Sequence, residues 1–267
     1  MKITFLGTGT SVGVPVINCQ CEVCSSADPR DHRLRTSALV ETHGRNFLID
    51  CGPDFRTQML RLGSPRLDAL LVTHTHYDHL GGIDDLRPYC SADHGFPIYC
   101  RKEVARDIHV RMPYCFEPHR YPGAPRYDIH IIHRAPFKAC GIEIIPLPVF
   151  HAKDYEITGF RIGRLSYVTD CKTMPEETLQ RIMGSEVLVI NALRFEPHNS
   201  HMTLDEALTM VGRVNPRKAY LIHFSHDIGL HAQTSLQRPP QRHHGPRHPL
   251  RHHLTHPPKT KNNPGSK

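Results

Sequence analysis

THTHYDHLGG, residues 73–82, places three histidines and one aspartate within six positions and ends in two glycines. It follows the apolar run LDALLV, which predicts a buried strand that delivers the cluster to a loop. Side chains two apart in extended backbone share a face, so His74 and His76 can hold one ion. Past the bend, Asp78 and His79 would face a second ion. The spacing therefore predicts a dinuclear metal site, against the alternative of a solvated polar loop in a chain with 22 histidines.

Length and composition favour one α/β domain. At 267 residues the chain can bury a core that needs no disulfide, and short β-branched runs alternate with amphipathic stretches. No apolar segment approaches eighteen residues and no early stretch has the features of a signal peptide, so we expect a soluble, cytoplasmic protein. The nine cysteines fit a reducing compartment.

The net charge of +7 comes from the C-terminal segment, residues 238–267. This segment has seven Lys or Arg, six His and seven Pro but no acidic residue, whereas the first 237 residues balance 26 bases against 26 acids. Apart from Leu250 and Leu254 it offers little apolar surface to offset the entropy of ordering. We therefore predict a folded domain over residues 1–237 and a disordered Pro-, His- and Arg-rich tail.

Sequence signals also locate two helix starts and a candidate lid. Capping boxes are expected where Thr173 precedes Glu176 and where Thr203 precedes Glu206. After a predicted helix, Pro, Tyr and His dominate until about residue 137. This composition favours an irregular substrate lid over a core element.

The H-x-H-x-D-H pattern of residues 74–79, together with FLGTG at residues 5–9, resembles the signature of the metallo-β-lactamase superfamily. The family pattern continues with a histidine, an aspartate and a histidine after later strands. The sequence supplies them in order, in PLPVFHAKD, LSYVTDC and AYLIHFSHD, as His151, Asp170 and His223. Each alone is more often a surface histidine or a helix cap, but the series favours the family. The resemblance implies an αββα sandwich, in which two mixed β-sheets pack back to back with helices outside.

The resemblance also implies how the ligands divide between two metal ions. It assigns His74, His76 and His151 to one ion, Asp78, His79 and His223 to the other, and Asp170 to both. A hydroxide pinned between the two cations is the nucleophile expected for this class. Imidazole and carboxylate ligands suit zinc, but they would also accept manganese or iron.

Three further candidate ligands crowd into CQCEVC, which contains Cys19, Cys21 and Cys24 on the loop after the first strand. Their spacing is too tight for a set of disulfides and suits a metal. With His226, three residues beyond His223, they would make a closed structural zinc site of three cysteines and one histidine. The alternative is a reduced cysteine trio that binds nothing.

GTGTSVGVP near the start, CQCEVC and the later HFSHD together resemble the PhnP family of phosphoribosyl cyclic phosphodiesterases over nearly all of residues 1–237. This resemblance assigns His201 to the position of an active-site histidine that serves the leaving oxygen; a solvent-exposed histidine near a helix cap is the alternative. The implied catalytic residues are His201 and Asp78, which is also a metal ligand. Relatives close with another strand where this chain turns Pro- and His-rich, a switch that a shifted reading frame would produce.

The sequence therefore predicts a dinuclear metal-dependent hydrolase of a small, cyclic phosphodiester, with His201 protonating the departing alkoxide. Arg87, Arg194 and Tyr89 are candidate phosphate contacts, although a solvated surface role fits each better. Three alternatives stay open: a tRNA 3′-end nuclease, a lactonase or thioesterase of the same superfamily, and a non-hydrolytic binding protein. The neutral domain argues against the first and the complete ligand set against the last. The expected partner is a small molecule; nucleic acid and membrane are not expected, and a homodimer is left open.

Overall fold

The computed structural model of the chain describes residues 1–91, 94–117, 121 and 123–234. The tail predicted to be disordered, residues 238–267, lies outside the described residues. One sheet contains β1 (Lys2–Gly7), β2 (Ser37–Thr42), β3 (Arg45–Ile49), β4 (Ala69–Leu71), β5 (Phe96–Cys100) and β6 (Tyr127–Ile131). The other contains β7 (Phe137–Ala139), β8 (Ile142–His151), β9 (Tyr155–Ile162), β10 (Leu165–Val168), β11 (Val187–Asn191) and β12 (Lys218–Ile222).

Both sheets are mixed, and in each of them neighbouring strands follow chain order. In the first sheet β1, β2 and β3 are antiparallel neighbours, whereas β3 to β6 run parallel. In the second sheet β7 to β10 are antiparallel neighbours, whereas β10 to β12 run parallel. Parallel strands begin and end on the same side of a sheet, so several loops at strand ends come together there.

All but the last of the six helices that the structure describes contribute side chains to the apolar layers on the outer faces of the two sheets. The six helices are α1 (Phe55–Arg61), α2 (Tyr77–Leu80), α3 (Lys102–Arg111), α4 (Glu176–Ile182), α5 (Leu204–Val214) and α6 (His231–Thr234), with 3₁₀ helices at Ile83–Tyr89, Pro113–Cys115 and His226–Ile228. The predicted αββα sandwich is confirmed. None of the helices in the described residues is long and apolar enough to cross a membrane.

Successive side chains along a strand point to opposite faces of its sheet. They form three apolar layers, one between the two sheets and one on the outer face of each. Leu48 of β3 packs with Phe55 of α1 on the outer face, whereas its neighbour Ile49 packs with Tyr167 of the second sheet. Leu188 of β11 packs on the far face with residues of α4 and α5. Each such side chain is almost completely buried, which stabilises the fold by about 1.5–3 kcal/mol per residue.

The two predicted capping boxes have different outcomes. At α5 the box is confirmed, because Thr203 Oγ1 accepts from the Glu206 N–H and Glu206 Oε2 accepts from the Thr203 N–H. The box at Thr173 is wrong, because α4 begins only after its N-cap, Pro175. The Thr173 carbonyl instead accepts from the Phe150 N–H at 2.9 Å, which places this backbone in a β-bridge.

The prediction of an irregular lid up to residue 137 is also wrong in part. Within it, Tyr127–Ile131 forms β6, which pairs in parallel with β5. Tyr127 and Ile129 pack against the core while Asp128 points outward, so YDIHI has the alternation of an edge strand. Its histidine and the surrounding prolines concealed that pattern.

Candidate metal centres

The predicted ligands of the dinuclear site lie where strands end. Four of them follow or close a strand: His74 after β4, His151 at the end of β8, Asp170 after β10 and His223 after β12. His76 is the N-cap of α2, which carries Asp78 and His79 in its first turn. Only His76 among the seven is exposed.

Left-handed backbone turns several of these side chains toward the centre. Asp170 and His223 have φ angles of 52° and 63°, as does Asp50 with 62°. A single left-handed residue after a strand breaks the alternation of side chains, and aspartate tolerates that conformation better than most residues. The left-handed residues after these strands therefore direct polar side chains toward the ligand cluster.

Asp170 lies between two groups of imidazoles. Its Oδ1 is 3.3 Å from His79 Nε2 and 3.2 Å from His223 Nδ1. Its Oδ2 is 3.9 Å from His74 Nε2 and 3.8 Å from His201 Nδ1. One carboxylate thus presents a separate oxygen to each group, so Asp170 could serve as a ligand to two metal ions.

The donor atoms form three overlapping groups, within each of which all atoms lie within 4.8 Å of one another. These are Asp78, His79, Asp170 and His223; His74, His76 and Asp170; and His151, Asp170 and His201. The structure brings all seven predicted ligands together. His151 groups by donor atom with His201 rather than with His76, although the His76 and His151 ring centroids are 4.9 Å apart.

Several buried polar atoms of this cluster have no hydrogen-bond partner among the described residues. They are His74 Nε2, Asp78 Oδ2, His79 Nε2, His201 Nδ1 and both ring nitrogens of His223. Leaving a buried polar atom unpaired costs about 1–3 kcal/mol. Lone pairs of imidazole and carboxylate that converge without partners are what a divalent cation such as zinc, manganese or iron binds. The cluster therefore fits the metal ions that the resemblance implies.

Asp50, which sequence reasoning missed, orients two of the histidines. Its carboxylate accepts from Thr73 Oγ1 at 2.8 Å and from His79 Nδ1 at 2.7 Å. Because the Thr73 hydroxyl proton goes to Asp50, His74 Nδ1 donates to Thr73 Oγ1, 2.9 Å away. Both rings then direct Nε2 into the cluster. The available signal was FLIDCG, where an aspartate ends an apolar run as Asp170 does in LSYVTDC.

The buried charges of the cluster shift one another's pKa values. Burial raises the pKa of Asp170, but the imidazoles of His223 and His79 hold it well below the ordinary value. Burial lowers the pKa of His79, but the carboxylates of Asp170, Asp78 and Asp50 bring it well above the ordinary value. Positive charge beside these buried carboxylates therefore stabilises their ionised form, and bound cations would supply such charge.

His201 is buried rather than solvent-exposed, so the surface alternative for this residue is wrong. Its ring centroid lies 4.7 Å from the rings of both His151 and His223. Burial lowers the pKa of His201 to about 3, although Asp170 raises it in part. The ring is therefore neutral at neutral pH before a substrate binds.

Two glycines allow the cluster loop to touch the segment after β3. A Cβ on Gly52 would lie 2.0 Å from the Asp78 carbonyl oxygen, and one on Gly82 would lie 2.0 Å from the Gly52 carbonyl oxygen. The Cys51 N–H donates to the His79 carbonyl at 2.8 Å across this contact. Gly52 and the final glycine of THTHYDHLGG, Gly82, thus let two backbones meet beside the ligands.

The three cysteines converge on His226 as predicted. Its Nδ1 lies 3.3 Å from Cys19 Sγ, 3.4 Å from Cys21 Sγ and 3.3 Å from Cys24 Sγ. A tetrahedral zinc bound to sulfur and imidazole would place such atoms about 3.5 Å apart. The Cys24 N–H, which donates to Cys21 Sγ, lowers the pKa of Cys21 to about 6. This favours the thiolate form that zinc requires.

The candidate phosphate contacts are largely engaged elsewhere. Arg87 forms two hydrogen bonds with Asp84, both 3.0 Å long. Tyr89 packs its ring against Phe55. Arg194 is half-buried, and its guanidinium makes long contacts of 3.3 Å to the Pro197 carbonyl and 3.5 Å to Asp227.

Comparisons with known proteins bear on both fold and site. The family model of the beta-lactamase superfamily domain matches residues 45–224. The chain is 38% identical over 248 residues to an octanoyltransferase of Porphyromonas gingivalis (strain ATCC BAA-308 / W83). The matched residues cover 92% of this chain but 50% of that protein. The chain therefore spans about half the length of this relative.

Two further matches extend over most of both partners. The anti-Pycsar protein Apyc1 of Bacillus phage 010DV004 is 35% identical over 253 residues, which cover 85% of this chain and 90% of that protein. The crystal structure of a diphosphatase from the PhnP family superimposes with a TM-score of 0.82 and 37% identity, covering 89% of this chain and 91% of the other.

Proposed function

The chain belongs to the metallo-β-lactamase superfamily of metal-dependent hydrolases, and we propose that it is a dinuclear phosphodiesterase acting on a small cyclic phosphodiester. The observation that carries this proposal is the division of the Asp170 oxygens between two groups of buried imidazoles. Two divalent cations held there, zinc or manganese, would supply an activated water as nucleophile and positive charge for the phosphoryl oxygens.

We assign the ligands as the resemblance to the superfamily implies. His74, His76 and His151 would hold one ion, Asp78, His79 and His223 the other, and Asp170 both. Support comes from the tautomers: Nδ1 of His74, His79 and His151 is engaged with Thr73, Asp50 and the Asp170 carbonyl respectively. Each of these rings is thereby oriented with Nε2 available to a cation.

His201 is the proposed proton donor to the leaving alkoxide, beside Asp78 as the second catalytic residue. Its Nδ1, 3.8 Å from Asp170 Oδ2, places it at the edge of the dinuclear cluster. Burial keeps the free ring neutral, but a phosphate anion beside it would raise the pKa of His201 and favour proton uptake on binding. The proton could then pass to the oxygen that leaves phosphorus.

Cys19, Cys21, Cys24 and His226 would hold one structural zinc. The proposal is supported by the convergence of three sulfur atoms on one imidazole nitrogen, and by the nine cysteines, all described and all free of disulfides. A closed set of four protein ligands leaves no position for substrate. This ion would therefore stabilise the fold rather than act in catalysis.

A small phosphate ester is the substrate class that the observations favour. The likeness to a PhnP-family diphosphatase at 37% identity supports chemistry at phosphorus. The balance of 26 bases and 26 acids over residues 1–237 favours a small molecule over a polynucleotide. The match to the octanoyltransferase covers only half of that protein. Acyl transfer is therefore not part of the proposed function of this chain.

A substrate panel with metal analysis tests the proposal. Purified chain loaded with Zn²⁺ or Mn²⁺ would be assayed on cyclic phosphates, linear diesters, precursor tRNA, a thioester and a lactone. We expect the highest kcat/KM on a cyclic phosphodiester, with about three metal ions per chain. The His74→Ala variant gives the background rate of the same preparation.

Other outcomes of the panel would replace the proposal. Preference for precursor tRNA would identify a nuclease, and preference for the lactone or thioester would identify a different hydrolase of the superfamily. A fully loaded protein that turns over none of these substrates would favour the non-hydrolytic alternative.

A further inference from the structure

Asn191, the last residue of β11, is completely buried beside the dinuclear cluster without belonging to it. Its amide pairs with both backbone groups of Cys171. The Cys171 N–H donates to Asn191 Oδ1 at 2.8 Å, and Asn191 Nδ2 donates to the Cys171 carbonyl at 3.0 Å. Cys171 directly follows Asp170, the residue shared by both metal groups.

The Cys171 carbonyl is also a junction between two catalytic segments. It accepts a second hydrogen bond, 3.0 Å long, from the N–H of Met202. Met202 directly follows His201, so a single carbonyl joins the segment of Asp170 to that of His201. Asn191 is the side chain that fixes this carbonyl in place.

A further proposed ligand, His151, depends on the same short segment. The Asp170 carbonyl accepts from His151 Nδ1 at 2.8 Å, which sets the tautomer of that ring. Asn191 itself is the register partner of Ile222 on β12, directly before His223. The backbone from Asp170 to Cys171 thus determines the positions of His151, Asp170 and His201 together.

We propose that Asn191 is a positioning residue of the dinuclear site. Its amide holds the peptide after Asp170 in the orientation that points one carboxylate oxygen at each metal group. Only a side chain with one acceptor and one donor can satisfy both groups of Cys171. Asp170 has a left-handed φ of 52°, a conformation less favourable than a strand, so its geometry needs such an external support.

Asn191→Asp is the sharpest variant, because it keeps the side-chain shape and the acceptor for the Cys171 N–H. It replaces the donor with an oxygen that faces the Cys171 carbonyl. The inference rests on the proposed dinuclear site but not on its substrate, so the measurement is Zn²⁺ affinity of the full chain, by competition with a chelator. We expect the two active-site ions to bind roughly 10–100-fold more weakly, as for loss of other outer-shell partners. The ion at the three cysteines should be unaffected.

Ser166→Ala is the matched control. Ser166 lies on the strand that leads to Asp170, and its hydroxyl is 2.8 Å from that of Ser185 in an equally buried pair away from the cluster. This variant should lower the midpoint of thermal unfolding without weakening Zn²⁺ binding. Asn191→Ser, which is smaller and uncharged, serves if Asn191→Asp does not fold.

The outcomes separate the inference from the proposed function. Wild-type affinity for both ions in Asn191→Asp or Asn191→Ser would overturn the positioning role alone. An equal loss of affinity in Ser166→Ala would overturn it too, since general destabilisation would then explain the effect. A wild-type chain that binds no pair of ions would instead remove the dinuclear site on which both rest.

Discussion

The two candidate metal clusters are built in opposite ways. In the cluster around Asp170 the ligands are mostly buried, come from strand ends of both sheets, and are oriented by partners such as Asp50 and Thr73. In the cysteine cluster, formed by Cys19, Cys21, Cys24 and His226, the ligands come from a loop and a 3₁₀ helix, and Cys21 is exposed. There the three sulfur atoms contact one imidazole nitrogen directly, and the backbone N–H of Val16 and that of Cys24 each donate to a sulfur.

This difference indicates different tasks. A buried set of carboxylates and imidazoles with unpaired lone pairs is stabilised by bound cations. Cations held in such a site can also stabilise negative charge on a bound substrate. The cysteine cluster joins the loop before β2 to the segment after β12, so an ion there would link distant parts of the chain. Removing ligands from the two clusters should therefore separate activity from stability.

Removal of a ligand from the buried cluster should give the largest effect. His74→Ala deletes the Nε2 that lies 3.9 Å from Asp170. We expect loss of active-site metal and a fall in diesterase activity beyond the roughly 10–100-fold that outer-shell changes cost. Metal analysis and kcat/KM on a cyclic phosphate measure both, with exposed His133→Ala as the control. Full metal content in His74→Ala would show that this histidine is not a ligand.

His201→Ala should separate chemistry from metal binding within the same cluster. If His201 donates the proton, the variant keeps its metals but turns over a diester with a poor leaving group roughly 10²–10⁴-fold more slowly. On a nitrophenyl ester the loss should be much smaller, because nitrophenolate leaves without a proton. The ratio of the two losses is the measurement.

Because His201 also lies within ligand distance of Asp170, metal content must be determined in parallel. A fall in metal content would reassign His201 as a ligand. Equal losses on both esters with metals intact would contradict the proton-donor role, since a residue that only shapes the pocket slows both alike.

The fold could be predicted from sequence wherever local signals agree with burial. The strand before His74 and the capping box at Thr203 are of this kind. The box at Thr173 failed because the Thr173 backbone pairs with Phe150, a contact some twenty residues distant in sequence that no local pattern encodes. The strand that begins at Tyr127 was not predicted, because Asp and His occupy its outward positions.

That the candidate ligands lie close together could be predicted, because the spacing of residues 74–79 and the resemblance to the superfamily pointed to few residue types behind apolar strands. The residues that orient these candidate ligands could not be predicted. Asp50 and Asn191 act through hydrogen bonds across 29 and 20 positions of sequence, and buried Asp and Asn occur for many reasons. Likewise, the division of the Asp170 oxygens depends on a left-handed φ that only the structure gives.

Cys21→Ser should affect stability more than activity. The metal content should fall by one ion per chain, and kcat should stay within a few fold because Cys19, Cys21 and Cys24 form a ligand group separate from the one around Asp170. An ion present at 100 times its Kd stabilises by about 2.7 kcal/mol, which is roughly 5–10 °C in Tm for a chain of this size. Thermal unfolding with and without a chelator measures this increment.

Cys140→Ser is the control, because Cys140 is half-buried and lies outside both clusters. It should keep all metal ions and the chelator-sensitive increment in Tm. In the wild type, the chelator should remove the two active-site ions well before the third. An unchanged metal count in Cys21→Ser would leave the cysteines as a reduced trio that binds nothing.

Deletion of residues 238–267 should have the smallest effect and would test whether the two clusters account for all bound metal. The segment has six histidines, which could bind metal loosely, but every proposed ligand precedes it. After dialysis we expect about three ions per chain with or without the segment, and diesterase activity within a few fold. A lower count in the truncated chain would mean that the segment holds metal of its own. A truncated chain that fails to fold would mean that residues 238–267, despite their composition, complete one of the sheets.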